Sequence, residues 1–393
     1  MLELVRELAA INSYSYNTAG LETLLTLLRE KFRPLGAQEE ILSLQAEGWI
    51  DAQGERAERP LGRALSLKKR PEVSPRAFLC IHYDTVFSPE RNFSLSPLEN
   101  GRLNGPGVLD AKAGIVILLT ALTALERSLL APRLGWEVFL NPDEEIGSPG
   151  SAPLLYRKAP LYDLGLLFEP ALPDGSLVAA RKGSGNFTIT VRGRAAHAGR
   201  DFASGRNALV LLSRIVLELQ DLMAPDRRIT VNPGRIEGGG PSNVVPDFAL
   251  LRFNIRVADA REQSLAESFL ADLIAKYDAM EGFRVRLHGR FHAPPKIMTD
   301  AQRSLLEAAR RAGGALGLEL DFQDAGGVCD GNKLAAGGLP NIDTLGARGA
   351  GAHSTEEYLI ADSLTERAKL TLSLLFMLAQ GEIALPPREE RLK

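Results

Sequence analysis

Acidic and histidine side chains follow a series of predicted strands, and their types suit metal-ion binding. These residues are His82 in IHYDTV, Asp110 in GPGVLDAKAG, Glu144 and Glu145 in NPDEEIGS, Glu169 in LFEP and His353 in GAHSTEEY. Zinc accepts imidazole nitrogen and carboxylate oxygen, and paired metal ions in hydrolases commonly share a bridging carboxylate and a bridging water. If the adjacent glutamates count as one ligand, the set has five members and suits two metal ions.

The charges of these side chains favour one arrangement of the ligands. We expect Asp110 to bridge the two ions. His82 and Glu169 would complete the ligands of one ion, and Glu145 and His353 those of the other. The combined charge of two divalent ions is about +4, and three carboxylates together with one bridging hydroxide would neutralise it.

Two further acidic residues lie beside these ligands. Glu144 is not needed as a metal ligand in this arrangement. We expect it to act as the general base that takes a proton from water and then delivers it to the leaving amine. Asp84 follows His82 by two residues, so in an extended segment the two side chains share a face. We expect the Asp84 carboxylate to orient the His82 ring by accepting its other N–H.

The elements that position these residues are predicted from short apolar runs. RAFLCIHYD, GWEVFLNPDEE and DLGLLFEP each indicate a buried strand followed by polar residues, which is typical of an α/β sheet. Ligands of such sheets gather beyond the carboxyl ends of the strands. Residues 182–293 instead follow a strand, helix, strand, strand, helix, strand order, the ferredoxin-like plan. We therefore predict a catalytic domain of residues 1–181 and 294–393, interrupted by an inserted domain of residues 182–293.

The ordered motifs H-x-D, G-x-x-D-x-K-x-G, Glu-Glu, Glu-Pro and Gly-x-His resemble those of the dizinc family that includes glutamate carboxypeptidase, acetylornithine deacetylase, succinyl-diaminopimelate desuccinylase and peptidase T. The similarity runs over nearly the whole chain. It implies a mixed-sheet zinc-peptidase catalytic domain, a lid and dimerisation domain inserted in it, and two Zn²⁺ ions per chain. Cobalt or manganese can also occupy such sites.

The same resemblance implies functional residues in the inserted domain. His197 in GRAAHAGR resembles the lid histidine that polarises the scissile carbonyl across the dimer. Asn243 and Arg256 resemble the pair that binds the substrate carboxylate, and Arg290 resembles a further carboxylate-binding arginine of glutamate carboxypeptidases. A guanidinium fork suits bidentate carboxylate binding. The expected partners are therefore a small carboxylate-bearing substrate and a second copy of the chain.

Two positions depart from the glutamate carboxypeptidase pattern or lack an assigned role. In the glycine-rich segment Gly326–Asn332, Cys329 replaces the Thr or Ser that is more familiar there. Arg348 lies upstream of His353 in GARGAGAHSTEEY, and the sequence assigns it no role.

Composition narrows the class of partner. The formal net charge is −3 without a long basic run, which is unlike a nucleic-acid-binding protein. The apolar stretches that start at Ile115 and Leu370 are shorter than the ~20 residues that cross a bilayer. The N-terminal segment lacks the basic start and apolar core of a secretory signal, and the chain has two cysteines. We expect a cytoplasmic protein without a disulfide framework or membrane association.

The predicted activity is hydrolysis of an amide or peptide bond next to a free carboxylate, as in glutamate carboxypeptidase. Three alternatives stay open on sequence grounds. The chain could be an N-acyl amino acid deacylase, of acetylornithine deacetylase or aminoacylase type, because only the substrate pocket would differ. It could be an N-carbamoyl amino acid amidohydrolase, or an inactive binding protein on the same fold.

Overall fold

The computed structural model describes residues 1–387, and the charged tail of residues 388–393 lies outside them. The α-helices of this part are α1 Leu2–Ala9, α2 Thr18–Phe32, α3 Ala113–Glu126, α4 Ala152–Lys158, α5 Ala208–Leu219, α6 Ala260–Asp278, α7 Asp300–Ala315, α8 Asp330–Ala336 and α9 Ser363–Gln380. The strands are β1 Gln38–Ser43, β2 Glu47–Ile50, β3 Arg56–Arg59, β4 Arg63–Lys69, β5 Arg76–His82, β6 Arg102–Asn104, β7 Gly135–Asn141, β8 Leu164–Leu167, β9 Leu177–Arg181, β10 Gly183–Arg192, β11 Thr230–Gly238, β12 Phe248–Val257, β13 Arg284–Ala293, β14 Phe322–Ala325, β15 Asn341–Ile342, β16 Gly349–Ala350 and β17 Tyr358–Ile360.

The chain forms two compact units. The first unit comprises Met1–Glu47, Pro60–Arg181 and Lys296–Lys393, and the second comprises Gly48–Arg59 and Lys182–Pro295. The longer segment of the second unit starts at Lys182, which is also the first residue of the inserted domain expected from the sequence. The sequence-based domains were incomplete in two respects, because Pro294 and Pro295 belong to the second unit and so do residues 48–59. Residues 48–59 contain most of the short β2–β3 hairpin. The alternation of polar and apolar residues there is too short to indicate to which domain the segment belongs.

The first unit is built on a mixed six-stranded sheet in the order β1-β4-β7-β5-β8-β15. Strands β7, β5, β8 and β15 run parallel, whereas β4 is antiparallel to β7 and β1. Strands β7 and β8 are buried along their whole length and β5 is buried from its second residue onward, as expected for strands covered on both faces. Parallel pairing places the carboxyl ends of β5, β7 and β8 at one edge of the sheet, and the predicted α/β fold is confirmed.

Helix α3 is part of the apolar core of the first unit. The segment Val108–Glu126 is long and apolar enough to cross a membrane, with a mean hydropathy of 1.9, but 72% of it is buried inside the protein. The backbone at Asp110 and Ala111 is not helical, which limits regular helix to the residues from Ala113 onward. We therefore interpret α3 as a core helix of a folded domain.

The second unit has a four-stranded antiparallel sheet in the order β11-β12-β10-β13, with α5 and α6 on one face. Asn207 caps α5 by accepting from the Val210 N–H, and Asp259 caps α6 by accepting from the Glu262 N–H. On the opposite face, the hairpin places Trp49 beside the guanidinium group of Arg252, at 5.9 Å from the ring centroid. The inserted ferredoxin-like domain predicted from the sequence is therefore present.

Candidate metal centre and substrate-binding surface

One half of the predicted metal centre lies around His82 at the end of β5. The Nε2 atom of His82 is 3.1 Å from Asp110 Oδ1 and 3.5 Å from Glu169 Oε2. Glu169 follows β8, which is the parallel neighbour of β5, so the sheet itself brings the two side chains together. These three residues form the group that the sequence assigned to the first ion.

The other half lies around His353, in the loop between β16 and β17. The Nε2 atom of His353 is 3.0 Å from Glu145 Oε2 and 3.4 Å from Asp110 Oδ2. His353 has a φ of 66°, a left-handed conformation that is uncommon for residues other than glycine. Each carboxylate oxygen of Asp110 therefore faces a different histidine, as a bridging ligand must.

The donor set fits two divalent cations. Ligand atoms of His82, Asp110 and Glu145 lie within 4.8 Å of one another, and the Oε1 atom of Glu145 is buried without a hydrogen-bond partner. Imidazole and carboxylate donors suit zinc, manganese or cobalt, and a buried carboxylate oxygen is costly to leave unpaired. The geometry supports a two-metal site.

The electrostatics of the cluster also suit cations. Burial and the charge of Asp110 raise the pKa of Glu145 to about 7, and burial raises the pKa of Glu169. Burial would raise the pKa of Asp110, but hydrogen bonds with His353 and His82 hold it well below its usual range. Hydrogen bonds with Asp110 and Glu145 raise the pKa of His353 to about 11. Clustered carboxylates repel one another, and divalent ions would relieve that repulsion.

Asp84 contacts residues of both halves of the site, namely His82 and the turn at Glu144 and Glu145. It is fully buried, and its Oδ1 atom is 3.3 Å from His82 Nδ1. The same carboxylate accepts hydrogen bonds from Ser15 Oγ and from the backbone N–H groups of Glu144 and Glu145. The Asp84 carboxylate therefore contacts both the His82 ring and the turn that carries the glutamate pair, and its role in orienting that ring stays a prediction. Such contacts are those of a positioning residue.

Glu357 fixes the backbone at Asp110, a role that the sequence reasoning missed. Its buried carboxylate accepts hydrogen bonds from the N–H groups of Gly107, Leu109 and Asp110. Burial raises the pKa of Glu357 to about 8 even though these bonds act in the opposite direction. Glu357 lies four residues after His353 in the same motif, and this position was the one feature of the sequence that could have marked it as a site residue. Nothing in the sequence indicates which backbone groups it contacts.

Glu144 lies next to the ligand Glu145 in the turn after β7. Burial and the charge of Glu169 raise its pKa well above that of an ordinary glutamate. A carboxylate with a raised pKa is a stronger base than a solvated one, which suits proton transfer from water. The structure thus places the predicted base beside the metal ligands.

Cys329 has a structural position at the start of α8. Its Sγ accepts from the Gly331 N–H at 3.3 Å, and its own N–H donates to Asn332 Oδ1 at 3.1 Å. Burial raises the pKa of the Cys329 thiol, and the charges of Asp343 and Glu169 raise it further. Because its Sγ accepts from the Gly331 N–H, Cys329 caps the start of α8. Cys80 and Cys329 are both buried and form no disulfide bond.

In the second unit, His197 and Asn243 occupy neighbouring exposed segments. The Ala198 N–H donates to the Asn243 carbonyl at 2.9 Å, and His197 forms a β-bridge with Val244. The Nδ1 atom of His197 lies 3.1 Å from the Gly199 N–H, which donates to it. This assigns the proton of a neutral imidazole to Nε2, which leaves that atom as a hydrogen-bond donor.

Arg256 and Arg290 lie on one face of the second unit's sheet, the face opposite α5 and α6, which we call the open face. Asn186 on β10 pairs directly with Arg290 on β13 and with Asn254 on β12, and directly paired residues share a face. Arg256 is two residues beyond Asn254 and therefore points the same way. The Nδ2 atom of Asn254 donates to Asn186 Oδ1 at 2.8 Å and to Ser184 Oγ at 2.9 Å.

The two asparagines were not among the predicted site residues. Strand alternation places them on the open face, but their proximity to both arginines depends on the register between three strands. The open face thus combines two guanidinium groups with side-chain amides, which are all suited to carboxylate recognition.

Comparison with known proteins places this site in a family. The model of peptidase family M20/M25/M40 matches residues 78–376, which include every predicted metal ligand. The chain belongs to this peptidase family. It is therefore a metal-dependent hydrolase, and the resemblance drawn from the motifs is confirmed.

Relatives and solved structures agree with this assignment. The chain is 29% identical to carboxypeptidase G2 of Pseudomonas sp. (strain RS-16) over 317 residues, which cover 77% of this chain and 74% of the relative. The fold is shared with a tripeptidase of Staphylococcus aureus, with a TM-score of 0.75, 21% identity and coverage of 96% and 98% of the two chains. It is also shared with a Bacillus subtilis protein described as a dinuclear metal-binding peptidase of the M20 family, with a TM-score of 0.63, 17% identity and coverage of 96% and 97%.

Membership of the M20/M25/M40 family establishes the class of chemistry, which is metal-assisted hydrolysis of small peptides and related amides. The individual roles of Glu144, Asp84 and His197 remain predictions that follow from their chemistry and position. The same holds for substrate binding by Asn243, Arg256 and Arg290.

Proposed function

We propose that the protein is a glutamate carboxypeptidase-like enzyme that releases a C-terminal dicarboxylic amino acid from a small peptide or N-acyl conjugate. The observation that carries this proposal is the placement of Arg256 and Arg290 on one open face, with Asn186 and Asn254 between them. Two guanidinium groups suit a ligand with two carboxylates better than one with a single charge. The 29% identity to a protein named carboxypeptidase G2 supports a carboxypeptidase activity.

In this proposal Arg256 and Asn243 bind the α-carboxylate, and Arg290 binds the side-chain carboxylate of the departing residue. Asp110 and its neighbours would hold two divalent ions, whose positive charge would polarise the amide and promote ionisation of water. Glu144 accepts the proton of the attacking water at its carboxylate and then delivers that proton to the departing nitrogen. His197 donates from Nε2 to the carbonyl oxygen as negative charge develops there.

We also propose that the protein is a homodimer through the second unit, with His197 acting on the partner's substrate. Val210 and Leu217, seven residues apart on α5, are 49% and 71% exposed, and Ile236 on the edge strand β11 is 50% exposed. Apolar side chains on an exposed helix and a free sheet edge favour self-association. Analytical ultracentrifugation of wild type and Leu217→Glu tests this, since a monomer at all concentrations in wild type would contradict it.

The test of the substrate class is a panel of matched compounds assayed with the zinc-, cobalt- and manganese-loaded protein. The panel contains N-acyl glutamate, N-acyl glutamine, a dipeptide ending in glutamate, N-acetylornithine, succinyl-diaminopimelate, a neutral N-acetyl amino acid and an N-carbamoyl amino acid. We expect the highest kcat/KM for the glutamate compounds, and the acyl glutamine provides an isosteric control without the second charge. Preference for another acyl or carbamoyl compound would move the enzyme to the deacylase or carbamoylase alternative, and no turnover of any compound would favour a binding protein.

A further inference from the structure

The turn that carries Glu144 and Glu145 is attached at both of its ends to one buried carboxylate, that of Asp330 in α8. Asn141, the last residue of β7, donates from Nδ2 to Asp330 Oδ2 at 2.7 Å. Ser148, on the other side of the turn, donates from Oγ to Asp330 Oδ1. These two donors lie three positions before Glu144 and three positions after Glu145. One side chain from a distant part of the chain therefore holds both ends of the turn.

Lys333 completes this contact and supplies the opposite charge. It lies three residues after Asp330 on the same helix, so both side chains are on one face of α8. Its Nζ atom donates to Asp330 Oδ1 at 2.9 Å and to Ser148 Oγ at 3.0 Å. Asp330 and Lys333 are 2% and 1% exposed, and Ser148 is fully covered. We call Asp330 and Lys333 the buried ion pair.

Both members of the buried ion pair carry their charge. Burial would raise the pKa of Asp330, but the charge of Lys333 and the hydrogen bond from Ser148 bring this pKa below its usual value. Burial would lower the pKa of Lys333, but the charges of Asp330 and Glu144 bring it above its usual value. The ammonium group of Lys333 is therefore close enough to Glu144 for the two charges to act on each other.

The buried ion pair is better explained by geometry than by stability. Moving two charges out of water costs free energy that their attraction often fails to recover, and apolar residues of similar size are frequently as stabilising. What such a pair can supply is a fixed arrangement of the groups that it contacts. Ser148 has a φ of 57°, a left-handed conformation that is uncommon for a residue with a Cβ atom. Such conformations persist where surrounding contacts impose them, as the two hydrogen bonds to the ion pair do here.

Helix α8, which carries the buried ion pair, is itself anchored to its neighbours. The carbonyl of Gly331 accepts from Nδ2 of Asn341, on strand β15 of the central sheet, at 3.0 Å. At the other end of the helix, a methyl group built at Gly337 would be only 2.5 Å from the Cβ atom of Ala159, which follows α4. A larger residue at Gly337 would push the two helices apart. Because α8 is held at both ends, its ion pair is a fixed point of attachment for the turn.

We propose that Asp330 and Lys333 are positioning residues that determine where Glu144 and Glu145 lie relative to the other predicted metal ligands. Asp84 accepts hydrogen bonds from the N–H groups of the two glutamates, whereas the buried ion pair holds the residues on either side of them. A displacement of the turn would move a predicted ligand and the predicted base together. The proposal rests on the roles assigned to Glu144 and Glu145, and it does not depend on the proposed glutamate specificity.

The test removes both charges of the pair at once. A single substitution would leave an unpaired buried charge, which is strongly destabilising, whereas Asp330→Asn/Lys333→Met keeps the charge balance and the approximate volumes. Circular dichroism and thermal unfolding of the full-length protein establish that the variant is folded. Ser148→Ala is a second variant, because it detaches one end of the turn and leaves the ion pair itself intact.

The matched control is another buried ion pair of the first unit, between Glu137 and Lys158. Glu137 is on β7, the strand that leads into the turn, and its side chain is 1% exposed. It also accepts hydrogen bonds from the side chains of Ser66 and Tyr162, which are not part of the turn. Glu137→Gln/Lys158→Met therefore removes one charge of each sign from the same unit without releasing either end of the turn.

The first readout is metal binding, which requires no substrate. In calorimetric titration of the metal-free protein with Zn²⁺, we expect Asp330→Asn/Lys333→Met to bind one of two ions about tenfold more weakly or worse. The ion assigned to His82 and Glu169 should keep its affinity, because the turn supplies only Glu145. The control should bind both ions as wild type does. Unchanged affinity for both ions in the folded variant would overturn the proposal.

The second readout is kinetic and uses the substrate of the panel that wild type turns over best. We expect the variant at Asp330 and Lys333 to lower kcat by about 10–100-fold with KM within about twofold of wild type, because a displaced base affects proton transfer more than binding. Ser148→Ala should give a smaller loss of the same kind. Equal losses in the control, or a raised KM with unchanged kcat, would overturn the proposal.

Failure of the proposed function is distinguishable from failure of this inference. A different preferred substrate in the panel would change the proposed substrate class and leave both readouts in force. If Glu144→Ala kept wild-type kcat, the base assignment would fall, and the zinc titration alone would decide whether the buried ion pair positions Glu145.

Discussion

The metal centre and the open face are built in opposite ways. At the metal centre, His82 and Asp84 are buried, and each is held by several contacts. On the open face, Arg290 and Asn186 are exposed, and strand register is the main constraint on their positions. Buried, multiply bonded side chains provide the fixed geometry that chemistry requires, whereas exposed side chains on a regular sheet can be exchanged without disturbing the fold. We therefore propose that the reaction and the choice of substrate depend on separate sets of residues.

The largest expected effect comes from the base at the metal centre. Replacing Glu144 by Ala should lower kcat by about 10²–10⁴-fold, because proton transfer from water loses its acceptor. Metal content, measured by atomic emission, should stay at the wild-type value because Glu145, not Glu144, is the predicted ligand. A Glu144→Ala enzyme with wild-type kcat would show that another residue is the base.

The next largest effect tests the support behind the ligands. Asp84→Asn should reduce metal affinity by about 10–100-fold, because the His82 ring and the glutamate turn lose a charged acceptor. A chelator titration with activity and metal content as readouts measures this. Unchanged affinity would mean that the Asp84 backbone carbonyl, which lies 3.1 Å from His82 Nδ1, orients the ring alone.

The open face should respond differently. Arg256→Ala should raise KM for glutamate substrates by about 10–100-fold, because a charged hydrogen bond to the substrate is lost, while metal content stays constant. Steady-state kinetics with N-acyl glutamate would check this. A loss in kcat with unchanged KM would contradict the division between reaction and recognition.

The smallest effect should separate charge from shape on the open face. Arg290→Gln should lower kcat/KM for N-acyl glutamate by about tenfold and leave N-acyl glutamine nearly unaffected, because only the former carries the second charge. Arg286→Gln, on the same strand and already paired with Asp278, is a suitable control. Equal losses for both substrates would assign Arg290 to general positioning.

The sequence alone predicted those site residues that lie at or just after the carboxyl ends of strands. His82, Glu145 and Glu169 follow buried apolar runs, and parallel pairing then brings them to one edge of the sheet without further information. The left-handed conformation of His353 and the bonds from Glu357 to the Asp110 loop could not be predicted in this way. They depend on contacts between segments that lie more than two hundred residues apart in the chain.

The hairpin was missed for a related reason. The hairpin has two four-residue strands, β2 and β3, whose side chains alternate weakly in burial. Its contacts are with Arg192 on β10 and Arg252 on β12, which lie far along the chain. The local sequence pattern therefore shows neither that these residues form a hairpin nor that they belong to the second unit. The bulge that shifts register between Ser184 and Gly185 is another feature that depends on the partner strand.

The hairpin also limits how the molecule can be rearranged. Because Gly48–Arg59 and Lys182–Pro295 together form the second unit, the backbone passes between the units four times, after Glu47, Arg59, Arg181 and Pro295. A chimera made by transplanting residues 182–295 alone would leave behind Trp49 and the loop at Gly54, which packs near Phe248. The second unit of this scaffold is therefore exchangeable only as a two-piece module, and a donor sequence must supply both pieces to remain folded.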